Sequence, residues 1–229
     1  MSLQILAAKN GMPSSMPSAF LEDELFEEPY SMEEIKADPA KHILWAAENN
    51  EKEVVESLLR MDSQLVNSTD DDKYTPLHRA SYNGHLEVIK LLVTNGADIH
   101  ARTIDGWQPF HSACRWDNVE AAKLLLSLGS DRHSVTNGQN TALHLAASNG
   151  EAEAMIKYLL TDTDIDTSVK NTAGDTAEDV ASRNSRFARH FKTLRRPAAA
   201  NSQSSKQTAD FTESSSDTAS SSVNTGKTL

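Results

Sequence analysis

The strongest constraint on this chain is an internal repeat of 33 residues. His78, His111 and His144 mark the period, and each lies within a similar string of residues. The strings are Tyr74-Thr-Pro-Leu-His-Arg-Ala-Ser-Tyr-Asn-Gly-His85, Trp107-Gln-Pro-Phe-His-Ser-Ala-Cys-Arg-Trp-Asp-Asn118 and Asn140-Thr-Ala-Leu-His-Leu-Ala-Ala-Ser-Asn-Gly-Glu151. A fixed period of this length indicates a repeat architecture, in which one supersecondary unit is stacked several times.

Each unit is predicted to contain two helices joined by a tight turn. Thr75 is a typical helix cap, and Pro76 suits the first helical position because no backbone donor is needed there. Gly84 permits the tight turn, and an apolar stretch with helical spacing follows at residues 86–93. Because one helix pair cannot bury its apolar faces alone, neighbouring units must stack into an all-α solenoid.

Short motifs within the repeats resemble the consensus of the ankyrin-repeat family. They are Thr75-Pro-Leu-His78, Gly84-His85 and Gly96-Ala-Asp98. The resemblance implies a solenoid of stacked helix-turn-helix units with short hairpin loops, flanked by disordered tails. The strings at 38–50, 74–85 and 105–116 are also similar to those of a small ankyrin-repeat protein without a catalytic domain.

Atypical units are expected at both ends of the array. Asp38-Pro39 begins the first, and Thr176-Ala-Glu-Asp179 forms a capping box in the last. The predicted ankyrin-repeat domain, 38–195, has five units at about 38–69, 70–102, 103–135, 136–170 and 171–195. Residues 1–37 form an acidic segment expected to be mostly disordered, and residues 196–229 form a Ser/Thr-rich disordered tail.

The acidic N-terminal segment has two interpretations. Its alternation of acidic and apolar residues is typical of disordered segments that fold on a partner, including activation-type regions. Ser31-Met-Glu-Glu34 matches a capping box, which favours a short helix leading into the first repeat. Both interpretations stay open at this point.

A basic run near the C-terminus also has two interpretations, a nuclear import signal or the solvated face of a capping helix. Phe187, Phe191 and Leu194 interrupt the run at helical spacing, which favours the capping helix. The basic residues are Arg183, Arg186, Arg189, His190, Lys192, Arg195 and Arg196.

Charge and cysteine content limit the partners and the compartment. A formal net charge of −11 argues against direct binding to nucleic acid, because phosphates are neutralised by Lys and Arg. Cys114 is the only cysteine, so the chain cannot form an internal disulfide, and a reducing compartment is expected. The apolar run at 3–8 is too short for a signal peptide or a membrane span. We therefore expect a monomer located inside the cell, in the nucleus, the cytoplasm or both, with no membrane contact.

Catalysis and metal binding are not expected. The sequence contains neither a Gly-x-Ser-x-Gly elbow nor a glycine-rich phosphate loop. His78, His111 and His144 would lie in units stacked about 10 Å apart, too far to converge on one ion with bonds of about 2 Å. We instead expect each histidine to hold adjacent helix starts together by a hydrogen bond, and Cys114 to be a packing residue. No enzyme activity, cofactor or metal is predicted.

The family resemblance implies that partners meet the hairpin tips and the exposed face of the first helices. Tyr, Trp and Arg are enriched in binding hot spots, and they concentrate in repeats two and three. Trp116 is expected to be exposed and to form an apolar patch with Trp107 and Tyr74. A purely packing role for these aromatic residues is the alternative. The predicted partner-binding residues are Asp71, Asp72, Tyr74, Arg79, Tyr82, Trp107, Arg115 and Trp116.

The sequence thus predicts a non-catalytic adaptor or regulator that binds a protein through the concave face of repeats two and three. Transcriptional regulation is one such role, and the alternative is an inhibitory or regulatory subunit of an enzyme complex. Repeat three departs from the pattern at Gln108, where Thr would cap the helix, and at Asp117 and Asn118, where Gly and His are expected. Repeat three is therefore predicted to be the weakest unit.

Overall fold

A computed structural model describes residues 31–161, 164–184 and 187–194. The disorder expected for residues 1–30 and 196–229 concerns parts of the chain outside these described residues. The same holds for Arg186, Arg195 and Arg196 of the basic run.

The described residues form eleven α-helices and one 3-10 helix. In chain order they are α1 (Met32–Ala37), α2 (Pro39–Glu48), α3 (Lys52–Met61), the 3-10 helix (Ser63–Asn67), α4 (Pro76–Asn83), α5 (Leu86–Thr94), α6 (Pro109–Arg115), α7 (Val119–Ser127), α8 (Ala142–Ser148), α9 (Glu153–Thr161), α10 (Ala177–Asn184) and α11 (Ala188–Leu194).

The helices are arranged in two layers. The first helices of successive units, α2, α4, α6, α8 and α10, pack each against the next. The second helices α3, α5, α7 and α9 do the same, and α11 packs on α9 and α10. Each predicted unit holds one helix pair, which confirms the all-α repeat solenoid. In the described part of the chain, no helix has both the length and the apolar character to cross a membrane.

The core lies between the two layers and depends on small residues in the first helices. Cys114 occupies the position held by Ser81 in repeat two and Ala147 in repeat four, and all three side chains are fully buried. Larger side chains such as Leu77 and Phe110 fill the remaining space. Cys114 is therefore a packing residue, as its position in the repeat predicts.

The first helices begin with a cap that also joins neighbouring repeats. Thr75 Oγ1 accepts a hydrogen bond from the backbone N–H of His78, and His78 Nδ1 accepts one from the backbone N–H of Thr75. The same reciprocal pair forms between Thr141 and His144. The second ring nitrogen is then free to reach the next unit. His78, His111 and His144 each donate a hydrogen bond of 3.0 Å from Nε2 to a backbone carbonyl. The acceptors are, in the same order, Trp107, Ser134 and Asp175.

These bonds confirm the structural role predicted for the three histidines. Two of the acceptors, Trp107 and Asp175, come directly before the cap of the next first helix. His111 differs, because its acceptor Ser134 lies at the end of its own unit, just before the hairpin of the next one. In His78 and His144, a buried Nε2–H with a backbone acceptor thus links two neighbouring repeats.

The hairpin tips are also joined from one repeat to the next. The backbone N–H of Ile104 donates to the carbonyl of Asp72, that of Asn137 to Asp105, and that of Thr172 to Gly138, each at 3.0 Å. Gly106 has a φ of 77°, and a Cβ atom there would lie 2.8 Å from the Asn137 nitrogen. Glycine is therefore required at this tip, where two hairpins approach closely.

The segment before the first repeat is helical from Met32 onwards. Ser31 and Glu34 form the capping box expected from the sequence, and Ile35 is buried beside α2. Within residues 31–37 the structure thus shows the short lead-in helix of the second interpretation.

The last helix closes the C-terminal end of the array. Phe187 and Phe191 are buried, whereas Arg189 and Lys192 are exposed. His190 Nε2 lies 2.9 Å from Glu153 Oε1, which joins α11 to α9. In α11 the exposed basic residues of the run, Arg189 and Lys192, form the solvated face of a capping helix.

Candidate functional site

The first candidate cluster centres on Arg79, on the first helix of repeat two. Its guanidinium pairs with Asp70 at 2.6 Å and with Glu48 of repeat one at 3.3 Å. The guanidinium also lies 5.3 Å from the centre of the Tyr74 ring. Burial by itself lowers the pKa of Arg79, but Glu48 and Asp70 outweigh it and raise the pKa. Arg79 is thus a neutralised cation that holds the hairpin tip and two first helices together.

The second candidate cluster lies where repeats two and three meet, and we call it the seam surface: Tyr82, Arg115 and Trp116. The rings of Tyr82 and Trp116 are 4.7 Å apart, and the Arg115 guanidinium lies 5.1 Å from the centre of the Trp116 ring. All three side chains are half-buried. The seam surface joins an aromatic pair to a cation, and these residue types dominate protein-binding hot spots.

Burial changes the ionisation of the seam surface. It raises the pKa of Tyr82 to about 12, with Glu48 as the next cause. Burial also lowers the pKa of Arg115. The Tyr82 hydroxyl is fully buried and has no hydrogen-bond partner among the described residues. Tyr82 is neutral and Arg115 is a cation at neutral pH, and the pKa shifts leave both states unchanged.

The hairpin tips near Tyr74 are acidic. Asp71 and Asp72 of repeat two and Asp105 of repeat three are exposed, and we call them the acidic rim. Ile104 lies in the same loop as Asp105 and is 56% exposed. The tips thus offer carboxylates and one apolar side chain to solvent.

Two aromatic residues lie differently from the sequence-based expectation. The Trp116 ring, predicted to be exposed, is half-buried because it packs on Tyr82 of the preceding repeat. Trp107 is also half-buried, and its ring joins neither cluster in the described structure. The tyrosine nearest the tip, Tyr74, packs edge-on against His78 at 5.6 Å. The predicted patch of Trp116, Trp107 and Tyr74 is therefore replaced by two separate clusters.

The unusual residues at the turn of repeat three make their own contacts between repeats. Asp117 has a φ of 62° and occupies the place of Gly84, and its carboxylate accepts a 2.7 Å hydrogen bond from the Met155 N–H at the start of α9. Asn118 takes the place of His85 and donates to the carbonyl of Tyr82. Both departures from the repeat pattern are thus compensated by new bonds.

Gln108 is the departure that lacks such compensation. Its backbone N–H donates to His111 Nδ1 at 3.0 Å, so the histidine half of the cap is kept. Its side-chain carbonyl oxygen is buried without a hydrogen-bond partner among the described residues. A threonine hydroxyl at this position would be short enough to bond the helix start, as it does in repeats two and four.

Two acidic residues that sequence reasoning did not select belong to these clusters. Glu48 pairs with Arg79, and its backbone carbonyl accepts bonds from the side chains of Asn83 and His85. Asp70 accepts the Tyr74 N–H at 2.8 Å and pairs with Arg79. The only sequence signal for Glu48 is its alignment with Tyr82 and Arg115, since each lies two residues before the turn residue with positive φ in its repeat.

The repeated histidines have no nitrogen left for other chemistry. Both ring nitrogens of His78 and of His144 are hydrogen-bonded within the protein. Burial lowers the pKa of His78 and of His111 to about 4, so both are neutral at pH 7. Within the described ranges, no group of three or more His, Cys, Asp or Glu side chains could hold a metal ion.

Comparison with known proteins agrees with this architecture. A family model described as ankyrin repeats matches the chain three times, at residues 5–103, 43–135 and 111–203. Ankyrin repeat domain-containing protein 49 of Bos taurus is 54% identical over 163 residues, which is 70% of this chain and 68% of that protein. The Homo sapiens protein of that name is 50% identical over 166 residues, 72% of this chain and 70% of its own length. The Drosophila melanogaster protein of that name is 41% identical over 71 residues, 31% of this chain and 32% of its own length. On its motifs, its fold and these matches, the chain belongs to the ankyrin-repeat family.

Proposed function

We propose that this chain is a non-catalytic adaptor or regulator that binds a protein partner through the first-helix side of repeats two and three. Ankyrin repeats form protein-interaction domains, in which stacked units present one continuous binding surface. The observation that carries the proposal is the seam surface, where Tyr82 and Trp116 pack together and Arg115 lies over Trp116. Aromatic and arginine side chains that are partly exposed on a rigid scaffold are the usual anchors of a protein interface.

The Bos taurus and Homo sapiens relatives, which match about 70% of this chain, are named for their repeat domain, and this supports the non-catalytic part of the proposal. We further propose that the protein acts inside the cell, in the nucleus or the cytoplasm, with transcriptional regulation among its roles. The intracellular part is supported by the single cysteine, Cys114, which is buried as a free thiol. The identity of the partner would distinguish an adaptor from an inhibitory subunit of an enzyme complex.

The test removes the anchors of the seam surface. We expect Arg115→Ala combined with Trp116→Ala to weaken capture of the main cellular partner at least tenfold, about 1.4 kcal/mol, because hot-spot anchors are lost. Affinity purification from cells followed by quantitative mass spectrometry measures the capture. Circular dichroism melting of the same variant reports whether the fold persists.

A matched control exists on the other layer of helices. Lys123 lies 5.4 Å from the ring of Tyr158, so Lys123→Ala with Tyr158→Ala also removes a cation and an aromatic ring that lie together. Capture should be unchanged in this control. Undiminished capture by a folded seam variant would contradict the proposal, and capture lost together with cooperative melting would make the pair structural.

A further inference from the structure

The seam surface contains a half-buried cation that no described carboxylate neutralises. Arg79, one repeat earlier on the same layer, has two acidic partners within 3.3 Å. Arg115 forms no such pair within the described residues, and its guanidinium lies against the face of Trp116. A guanidinium that is partly removed from water without a counterion loses hydration energy, which a carboxylate from another molecule would restore.

The surroundings of Arg115 give that carboxylate a defined place. The Arg115 guanidinium lies over the Trp116 ring, and the Tyr82 ring packs on Trp116 from the preceding repeat. A planar guanidinium held in this way presents parallel N–H groups, which match the two oxygens of a carboxylate. The seam surface is thus organised for an acidic side chain on an apolar neighbour.

The acidic rim sets the charge of the remainder of the partner. Asp71, Asp72 and Asp105 are exposed, and no described cation lies in ion-pair distance of them. A segment that carries many carboxylates would be repelled by the rim, and this argues against the chain's own acidic stretch at residues 20–28. Lys or Arg residues flanking a single carboxylate would satisfy both features.

We propose that the seam surface binds a linear segment of a protein partner that places one Asp or Glu carboxylate on Arg115 and Lys or Arg side chains against the acidic rim. The inference rests on the proposed function of this surface and adds the chemistry of the partner. Attraction at the rim would speed association, whereas the Arg115 carboxylate pair would fix the register of the bound segment.

The experiment selects peptide ligands directly, so the partner need not be identified first. A displayed library of random short peptides is panned against the full chain, and an enriched peptide is synthesised together with its Glu→Gln or Asp→Asn form. Fluorescence titration then gives the affinity of both peptides for the wild type, Arg115→Gln, Arg115→Lys and the control Lys123→Gln. Circular dichroism melting confirms that each variant is folded.

We expect enriched peptides to hold one carboxylate among basic residues. Arg115→Gln should lower the affinity for the acidic peptide at least tenfold. The neutral peptide should bind the wild type and Arg115→Gln equally, because without the peptide carboxylate there is no ion pair for the substitution to remove. Arg115→Lys should lower the affinity by less, because lysine keeps the positive charge but lacks the two parallel N–H donors of the guanidinium. Lys123→Gln should change nothing.

Several results would overturn the proposal. Enriched peptides without a carboxylate, or equal affinity of the acidic peptide for the wild type and folded Arg115→Gln, would show that Arg115 does not bind a carboxylate. The seam surface could still be the binding site. Enriched peptides rich in acid and free of Lys and Arg would point to the chain's own acidic segment as the occupant. If the enriched peptides still bind the Trp116→Ala and Tyr82→Ala variants, the seam surface is not their binding site. The proposed function would then also be wrong. A panning that enriches no peptide would exclude a linear partner segment.

Discussion

At the scale of single residues, the repeats differ in the residues that occupy equivalent positions, such as the helix cap. Thr75 and Thr141 cap their helices through a hydroxyl, whereas Gln108 leaves a buried side-chain oxygen without a partner among the described residues. An unsatisfied buried polar atom costs about 1 to 3 kcal/mol, so this one residue weakens the start of α6. The rest of repeat three does not share the defect, because Asp117 and Asn118 form bonds of their own.

Restoring the hydroxyl should therefore stabilise the protein. We expect Gln108→Thr to raise the free energy of unfolding by about 0.5 to 1 kcal/mol, since Thr would bond the helix start and the unsatisfied oxygen would be gone. Urea denaturation measures the change, with Gln108→Ala as the control that removes the amide without adding a hydroxyl. An unchanged or lowered midpoint for Gln108→Thr would show that Gln108 has another role.

The sequence predicts local features of this kind well and long-range ones poorly. The hydrogen-bonding role of His78 and the capping box at Ser31 follow from residues a few positions apart, and the structure confirms both. The half-burial of Trp116 depends on Tyr82, 34 residues earlier, and the neutralisation of Arg79 depends on Glu48 in another repeat. Such contacts are set by stacking geometry, which the pattern of one repeat does not contain.

At the scale of helices, the two layers are stabilised in different ways. The first helices of repeats two and four begin with Thr and His in a reciprocal cap, whereas α3, α5 and α7 have no side-chain cap. The second helix α9 is an exception, since Asp117 of the previous repeat accepts the N–H of Met155 near its start. A carboxylate at a helix N-terminus also interacts favourably with the helix dipole.

Contacts that cross from one repeat to the next should dominate the stability of the turns. We expect Asn118→Ala to lower the free energy of unfolding by about 1 to 2 kcal/mol, because the Tyr82 carbonyl loses the side-chain donor from the next repeat. Asn95→Ala is the matched control, since Asn95 donates to Leu91 of its own helix. Chemical denaturation of both variants makes the comparison, and equal losses would contradict the prediction.

At the scale of the whole molecule, the described array is quasi-one-dimensional, since each unit contacts its neighbours in the stack. The histidine bonds, the linked hairpin tips and the core then act as couplings between adjacent units. A change that breaks the same coupling in several repeats at once should therefore affect the cooperativity of unfolding more than any single substitution.

Acid acts on buried histidines in two repeats at once. Burial holds the pKa of His78 and His111 at about 4, whereas an unfolded chain has about 6.5. Between these values the unfolded chain binds protons that the folded chain does not, so the free energy of unfolding falls as the pH decreases. Each of the two histidines should remove about 2 kcal/mol by pH 5.

Urea denaturation from pH 7 down to pH 5 measures this loss. His111→Asn provides the comparison, because it removes one titrating group, and its free energy of unfolding should depend less steeply on pH than that of the wild type. A wild-type stability that stays constant over this range would show that the buried histidines titrate normally in the folded chain.

Because Cys114 is buried, the reactivity of its thiol can be used to measure local opening of the protein. The thiol is fully buried in α6, and burial raises its pKa, so an alkylating reagent can react only when repeat three opens. We expect modification to be slow in the native protein and its rate to give the free energy of that opening. If repeat three opens alone, added urea should accelerate the reaction only weakly, whereas opening of the whole stack should give the steep urea dependence of global unfolding.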